Sequence, residues 1–131
     1  MPRSTLTVLL ACRDRLELLR ESVRSALDQA GDGVDVLVVD DGSGEATRSY
    51  LDQLSGEDRR LRVVHQPATG VGAARARGVL EASGELVCIL DSDDLLEPGA
   101  IERVRSALDA APSIDLVYGN IRTFRAGGPS R

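Results

Sequence analysis

Four short apolar runs, Leu6 to Cys12, Val34 to Val39, Leu61 to His65 and Glu85 to Leu90, are rich in Val, Leu and Ile and mostly continuous instead of alternating. Strands with one face in water alternate, so continuous runs of this length predict strands covered on both faces. Helical patterns fill the spaces between them. The clearest runs from about Arg15 to Ala30, where Leu16, Leu19, Val23, Ala26 or Leu27, and Ala30 recur as one stripe. Asp14 with Glu17 three residues later has the spacing of a capping box, which predicts a helix start there. Further helices are predicted over about Glu45 to Leu54, about Val71 to Ala82, and from Pro98, suited to a first helical turn, to about Ala110. A fifth strand is predicted at Ile114 to Tyr118. The order βαβαβαβαβ implies the α/β class, with a Rossmann-like, mostly parallel sheet and helices on both faces. Such sheets bind ligands beyond the carboxyl ends of their strands. Those ends are Arg13-Asp14, Asp40 to Ser43, Gln66 to Gly72 and Asp91 to Asp94.

At 131 residues and 42% apolar content the chain suits one domain, expected over residues 1–124, followed by a flexible tail at 125–131 that reads RAGGPSR. A formal charge of -5 argues against bare nucleic acid or an anionic membrane face as the main source of affinity. Tyr50, Tyr118 and Phe124 are the only aromatics, so no platform for stacking successive bases exists. All 16 basic residues are arginine, which excludes chemistry that needs a lysine. No run approaches the roughly 18 apolar residues of a membrane span, and the start lacks a secretory cleavage pattern. Cys12 and Cys88 fall inside predicted strands, which fits reduced thiols and a cytoplasmic setting.

The strongest local feature is Leu90-Asp91-Ser92-Asp93-Asp94-Leu95, three carboxylates at a strand end. Carboxylates so close repel, and a hard divalent cation such as Mg²⁺ or Mn²⁺ relieves that repulsion while keeping positions open for phosphate oxygens. Taken alone, the cluster reads equally as a metal site or as a solvated turn in which Asp93 or Asp94 caps the next segment. Val39-Asp40-Asp41-Gly42-Ser43 ends the second strand, where a carboxylate can accept from a base N–H or a ribose hydroxyl. Taken alone, it fits better a turn before a helix, with Gly42 relieving backbone strain and Ser43 as the cap. Two acidic strand ends on one edge of a parallel sheet favour a shared site. Gly70-Val71-Gly72-Ala73-Ala74-Arg75-Ala76-Arg77-Gly78 opens the third helix with small residues and two arginines able to reach phosphate or base oxygens. The segment also suits a dinucleotide fingerprint, with Asp91 at about the expected distance. Against that, Gln66-Pro67-Ala68-Thr69 separates the strand from the first glycine, and one ribose-binding acid leaves the other carboxylates unexplained. A phosphoacceptor receiver domain also pairs acids after one strand, but it relies on a lysine that this chain lacks.

Together these segments resemble the family 2 glycosyltransferases of the GT-A type. The N-terminal half of that family reads approximately as a strand ending Pro-Thr-Tyr-Asn, a helix, Val-Asp-Asp-Gly-Ser, Gly-x-x-x-Ala-Arg-Asn-x-Gly and Asp-x-Asp-Asp. The match runs in register from Thr5 to about Asn120. It implies that Asp41 binds the nucleotide base with Asp40 supporting the loop, and that Gly70 and Arg75 lie near the base or phosphates. It further implies that Asp91 and Asp93 contact ribose and coordinate Mn²⁺ or Mg²⁺, with Ser92 and Asp94 completing the acidic motif. Ala11-Cys12-Arg13-Asp14 stands where the family shows Pro-Thr-Tyr-Asn, so Arg13 replaces an aromatic ring that packs on the base. A guanidinium can stack in its place. Ala76 likewise replaces an asparagine after Arg75.

The resemblance implies a nucleoside-diphosphate sugar as donor, a UDP-sugar being favoured, and inverting transfer to a hydroxyl of a glycan, lipid or other acceptor. The general base and acceptor pocket lie beyond the matched half in the family, so an incomplete catalytic domain is expected, or else a binding module without turnover. Apolar surface left uncovered in such a half would favour self-association. Further segments or partners would hold the protein at the inner face of a membrane.

Overall fold

The computed structural model describes residues 2–124. The tail expected at 125–131 lies outside the described residues. Four parallel strands, β1 (Leu6–Cys12), β2 (Val34–Asp41), β3 (Leu61–Gln66) and β4 (Leu86–Ile89), form one sheet in the order β3-β2-β1-β4. The helices are α1 (Leu16–Leu27), α2 (Glu45–Glu57), α3 (Val71–Glu81) and α4 (Ala100–Ala110). Because β1, β2 and β3 step one way while β4 lies on the other side of β1, the topological switch falls between β1 and β4. Ligand crevices open there in sheets of this kind.

Alternate residues of the continuous runs serve two cores. Leu6, Val8, Leu10 and Cys12 of β1 pack with Leu19, Val23, Ala26, Leu51 and Ile101, so α1, α2 and α4 cover one face. Leu9, Leu37 and Val39 pack with Ala74 of α3 on the other face. Each fully buried leucine among them contributes about 2 kcal/mol. Helix α3 on the second side packs against β1 and β2, and Ile89 of the edge strand β4 is 55% exposed. Coverage of both faces thus holds for β1 and β2 but not for β4.

The α1 start differs from its expected form. Asp14 and Arg15 both have left-handed backbones, with φ of 55° and 56°, and Arg15 caps α1 without a side-chain hydrogen bond. Asp14 Oδ1 instead accepts from Gly44 N at 2.7 Å, so a loop-to-loop tie displaces the capping box. Helix α4 begins at Ala100 with Gly99 as cap, and Pro98 lies in the preceding turn. The fifth strand does not form: residues 114–118 have no strand partner among the described residues, and Leu116 is 78% exposed. A strand needs a neighbouring strand to take up its backbone groups, and without one the segment leaves most of them to water, whatever its composition.

Both cysteines are free, as expected of reduced thiols. Burial first, then the charge of Asp40, pushes the Cys12 thiol up to about 12. Cys12 is therefore expected to resist a disulfide-exchange reagent at about pH 8 in the native protein, where its thiolate is almost absent, and to react once denatured. Rapid native labelling, located by peptide mass, would contradict this burial. Among the described residues no helix is long and apolar enough to cross a membrane.

Candidate functional site

All strands run the same way, so the two acidic strand ends share one edge of the sheet, with β1 between them. The β2 run extends two residues further than its apolar pattern, through Asp40 and Asp41. Asp40 is 1% exposed; its Oδ1 accepts from Ser43 N at 3.0 Å and its Oδ2 lies 2.7 Å from His65 Nδ1. Ser43 does not cap α2, whose cap is Gly44. Its hydroxyl accepts from Asp14 N at 2.7 Å.

Asp41 is enclosed by the loop after β3. Its Oδ1 accepts from Gln66 Nε2 at 2.9 Å and Thr69 N at 2.8 Å, and its Oδ2 accepts from Gly70 N at 2.8 Å. Those donors, the Gln66 amide first, hold its carboxyl below the usual range, with partial burial working the other way. Each carboxylate oxygen has two acceptor positions, and Gly70 N takes only one of those on Oδ2.

At the end of β4, Asp91 to Asp94 form a turn closed by Asp94 N donating to Asp91 O at 3.0 Å, with Ser92 half-buried inside it. Asp91, Asp93 and Asp94 are exposed and each offers a carboxylate oxygen within 4.8 Å of the others. Loss of hydration, then the charges of Asp93 and Asp91, push the Asp94 carboxyl up. This set is oxygen-only, acidic and open to solvent, which suits Mn²⁺ or Mg²⁺ and would relieve the repulsion.

Two arginines answer the same charge. Arg75 Nη2 of α3 donates to Asp91 Oδ1, and Arg15 Nη1 reaches Asp93 Oδ2 at 3.3 Å. Arg75 is thus brought to the acidic turn. Arg13 is exposed on the β1–α1 loop beside half-buried Ala11, and no side-chain hydrogen bond joins it to the acidic turn. Arg15 and His65 lie outside the sequence motifs. Arg15 had its position beside Arg13-Asp14 as a signal, and His65 had its register opposite Asp40.

A parallel α/β layout of the kind that binds ligands beyond its strand ends, with an acidic turn at one strand end and an enclosed aspartate at another, defines the class of this site. The sequence pattern described as Glycosyl transferase family 2 matches residues 7–130, and the chain belongs to that family. EpsH of Bacillus subtilis (strain 168), whose name assigns it to the glycosyltransferases, is 31% identical over 120 residues, covering 92% of this chain and 34% of EpsH. The chain thus spans about a third of that relative. The mannosyltransferase PcManGT from Pyrobaculum calidifontis, solved with GDP-Man and Mn²⁺, superposes with a TM-score of 0.70 at 24% identity, over 83% of this chain and 33% of that one. TarS 1-349 of S. aureus, solved with UDP, gives a TM-score of 0.72 at 23% identity, over 81% of this chain and 32% of that one. The fold is GT-A.

Proposed function

We propose that residues 1–124 form the donor-binding half of a glycosyltransferase that takes a nucleoside-diphosphate sugar, a UDP-sugar being favoured, together with Mn²⁺ or Mg²⁺. The observation that carries this reading is the trio Asp91, Asp93 and Asp94, with oxygens within 4.8 Å, on the same sheet edge as Asp41. Support comes from the GDP-Man and Mn²⁺ bound to one structural neighbour and the UDP bound to another. In this reading Asp41 accepts from the base, Asp40 and Gly70 hold its loop, and Arg13 stacks on the base from beside Ala11. Asp91, Asp93 and Asp94 hold the cation, and Ser92 and Asp91 approach the ribose. Arg75 turns from Asp91 toward the diphosphate once a cation neutralises the turn.

The reaction forms a bond from an acceptor oxygen to the sugar C1 and breaks the bond from C1 to the diphosphate oxygen, with inversion. The acceptor proton passes to a general base outside this chain's assigned residues. When bound, the metal supplies positive charge that stabilises the departing diphosphate.

Calorimetric titration with UDP, GDP and NAD, each with and without Mn²⁺, tests the reading. Binding of a nucleoside diphosphate is expected only with the metal, and Asp93→Ala is expected to weaken it by at least about a hundredfold, roughly 2.7 kcal/mol. Tight NAD binding without metal would favour a dinucleotide site instead. A module that binds without turnover is the second reading, and transfer or donor hydrolysis by this chain would exclude it.

A further inference from the structure

His65 is the only histidine in the chain and stands near the carboxyl end of β3 between two carboxylates. Its Nδ1 lies 2.7 Å from Asp40 Oδ2, and its Nε2 lies 2.7 Å from Asp52 Oδ1. A carboxylate at both nitrogens calls for an N–H at both, and only the imidazolium has two. Asp40 is a buried carboxylate, which is costly to hold without an opposite charge. The imidazolium provides that charge.

Asp40 passes the restraint on. Its other oxygen holds Ser43 N, the Ser43 hydroxyl accepts from Asp14 N, and Asp14 Oδ1 accepts from Gly44 N. The loop after β2 is thereby tied to the loop after β1. That second loop bears Arg13 and carries Arg15, in its left-handed conformation, to Asp93. One line of contacts therefore runs from Asp52 through His65, Asp40, Ser43 and the Asp14-Arg15 pair to the acidic turn.

We propose that His65 is a positioning residue: clamped as the cation between Asp40 and Asp52, it holds both loops in the arrangement that the donor nucleotide requires. Only the link to the nucleotide rests on the donor-binding reading; the clamp is a property of the fold alone. The charged groups facing the ring are Asp40 from β2 and Asp52 from α2, and Arg77 of α3 donates to the His65 carbonyl at 3.4 Å. The hydrogen bond to Asp52 raises the imidazole pKa most, burial opposes it, and Asp40 adds to the rise. Because the folded value is raised, the clamp is complete below the ordinary imidazole value and is lost as pH climbs through the folded one.

The test follows backbone amides and the imidazole by NMR from about pH 5 to about pH 9, which brackets a raised imidazole value. It uses the wild type, His65→Gln and Asp52→Asn; the Asp52 side chain is 63% exposed, so its variant removes one partner without opening the core. The amides of Asp14, Ser43 and Gly44 are expected to move with the imidazole midpoint, at a lower pH in Asp52→Asn, and to stay still in His65→Gln. In parallel, UDP affinity with Mg²⁺ is expected to weaken by about tenfold across that midpoint, the factor of one unit of linked pKa. His65→Gln should keep only the ligand's own titration. Loop amides that ignore the imidazole, or matching affinity profiles for wild type and His65→Gln, would overturn the positioning role. Absence of UDP binding at every pH would instead overturn the donor reading and the functional half of the proposal, while amides that still follow the imidazole would support the clamp.

Discussion

Gly84→Ala is expected to destabilise the protein by about 3 kcal/mol, from overpacking against groups that cannot yield, and so to lower its melting temperature by about 10 °C. Gly84 lies just before β4, where a Cβ would sit 2.6 Å from Thr7 N, 2.7 Å from Leu6 C and 2.8 Å from Leu86 O. All three are backbone atoms of the β1–β4 contact, so no rotamer change makes room. The same spot is a polar junction. Gly84 N donates to Thr7 Oγ1 at 3.0 Å, Thr7 Oγ1 donates to Asp35 Oδ1 at 2.6 Å, and Ser83 Oγ donates to Asp35 Oδ2 at 2.8 Å. A methyl group would part β4 from β1 and break this junction together.

Gly56→Ala provides the contrast. Gly56 is exposed within α2 with nothing within 4 Å of an added Cβ, so alanine there is expected to stabilise by about 0.5 kcal/mol through helix propensity. Thermal unfolding of both variants checks the pair. A Gly84→Ala protein as stable as wild type would mean that β4 does not approach β1 this closely. The functional consequence follows from topology, because β4 leads into Asp91 to Asp94 and, among the described residues, pairs with β1 alone. Any displacement of β4 moves those carboxylates relative to Arg15 and the β1–α1 loop.

How far the sequence foretells this arrangement depends on whether each feature is local. The continuous runs at β1 and β2 announce buried strands because burial on both faces leaves no alternation to read. The acidic trio is legible for a similar reason: three carboxylates within four residues must lie close together whatever the tertiary fold. Residues 114–118 show the opposite case. Their apolar, β-branched and aromatic composition suits a strand, but a strand exists only with a partner, and none is present among the described residues. Asp14 is a subtler case, in which an intact capping signal yields to a hydrogen bond from Gly44, thirty residues away. His65 is legible only once the register sets it opposite Asp40, and Arg15 only once its left-handed backbone turns it toward Asp93. The enclosure of Asp41 by Gln66, Thr69 and Gly70 likewise depends on how two loops meet.

That meeting of loops makes Gly42→Ala the most informative change near the candidate site, with an expected cost of about 2 to 4 kcal/mol. Two effects add. Gly42 has φ +76°, a left-handed conformation that strains alanine by about 1 to 2 kcal/mol. Its Cβ would also fall 2.7 Å from Ala68 N and 2.8 Å from Ala68 Cβ. Pushing Ala68 outward withdraws the neighbouring Thr69 and Gly70 amides from Asp41, which opens the enclosure on the side where the base would bind. UDP affinity in the presence of Mn²⁺ is therefore expected to fall by more than about tenfold, or 1.4 kcal/mol. Gly33→Ala separates the two effects: φ there is +80°, but the nearest atom to its Cβ is Arg105 Nη2 at an ordinary 3.5 Å, far from the acidic strand ends. It should lose only the backbone part, about 1 to 2 kcal/mol, and bind UDP as wild type does. Adding Ala68→Gly to Gly42→Ala removes the contact between the two Cβ atoms while leaving the contact with Ala68 N. Partial recovery of both stability and affinity is the expected result, measured as a coupling between the two changes. If the double variant recovers nothing, or if Gly42→Ala binds UDP unimpaired, close approach of the β3–α3 loop over Gly42 is not what shapes the Asp41 site.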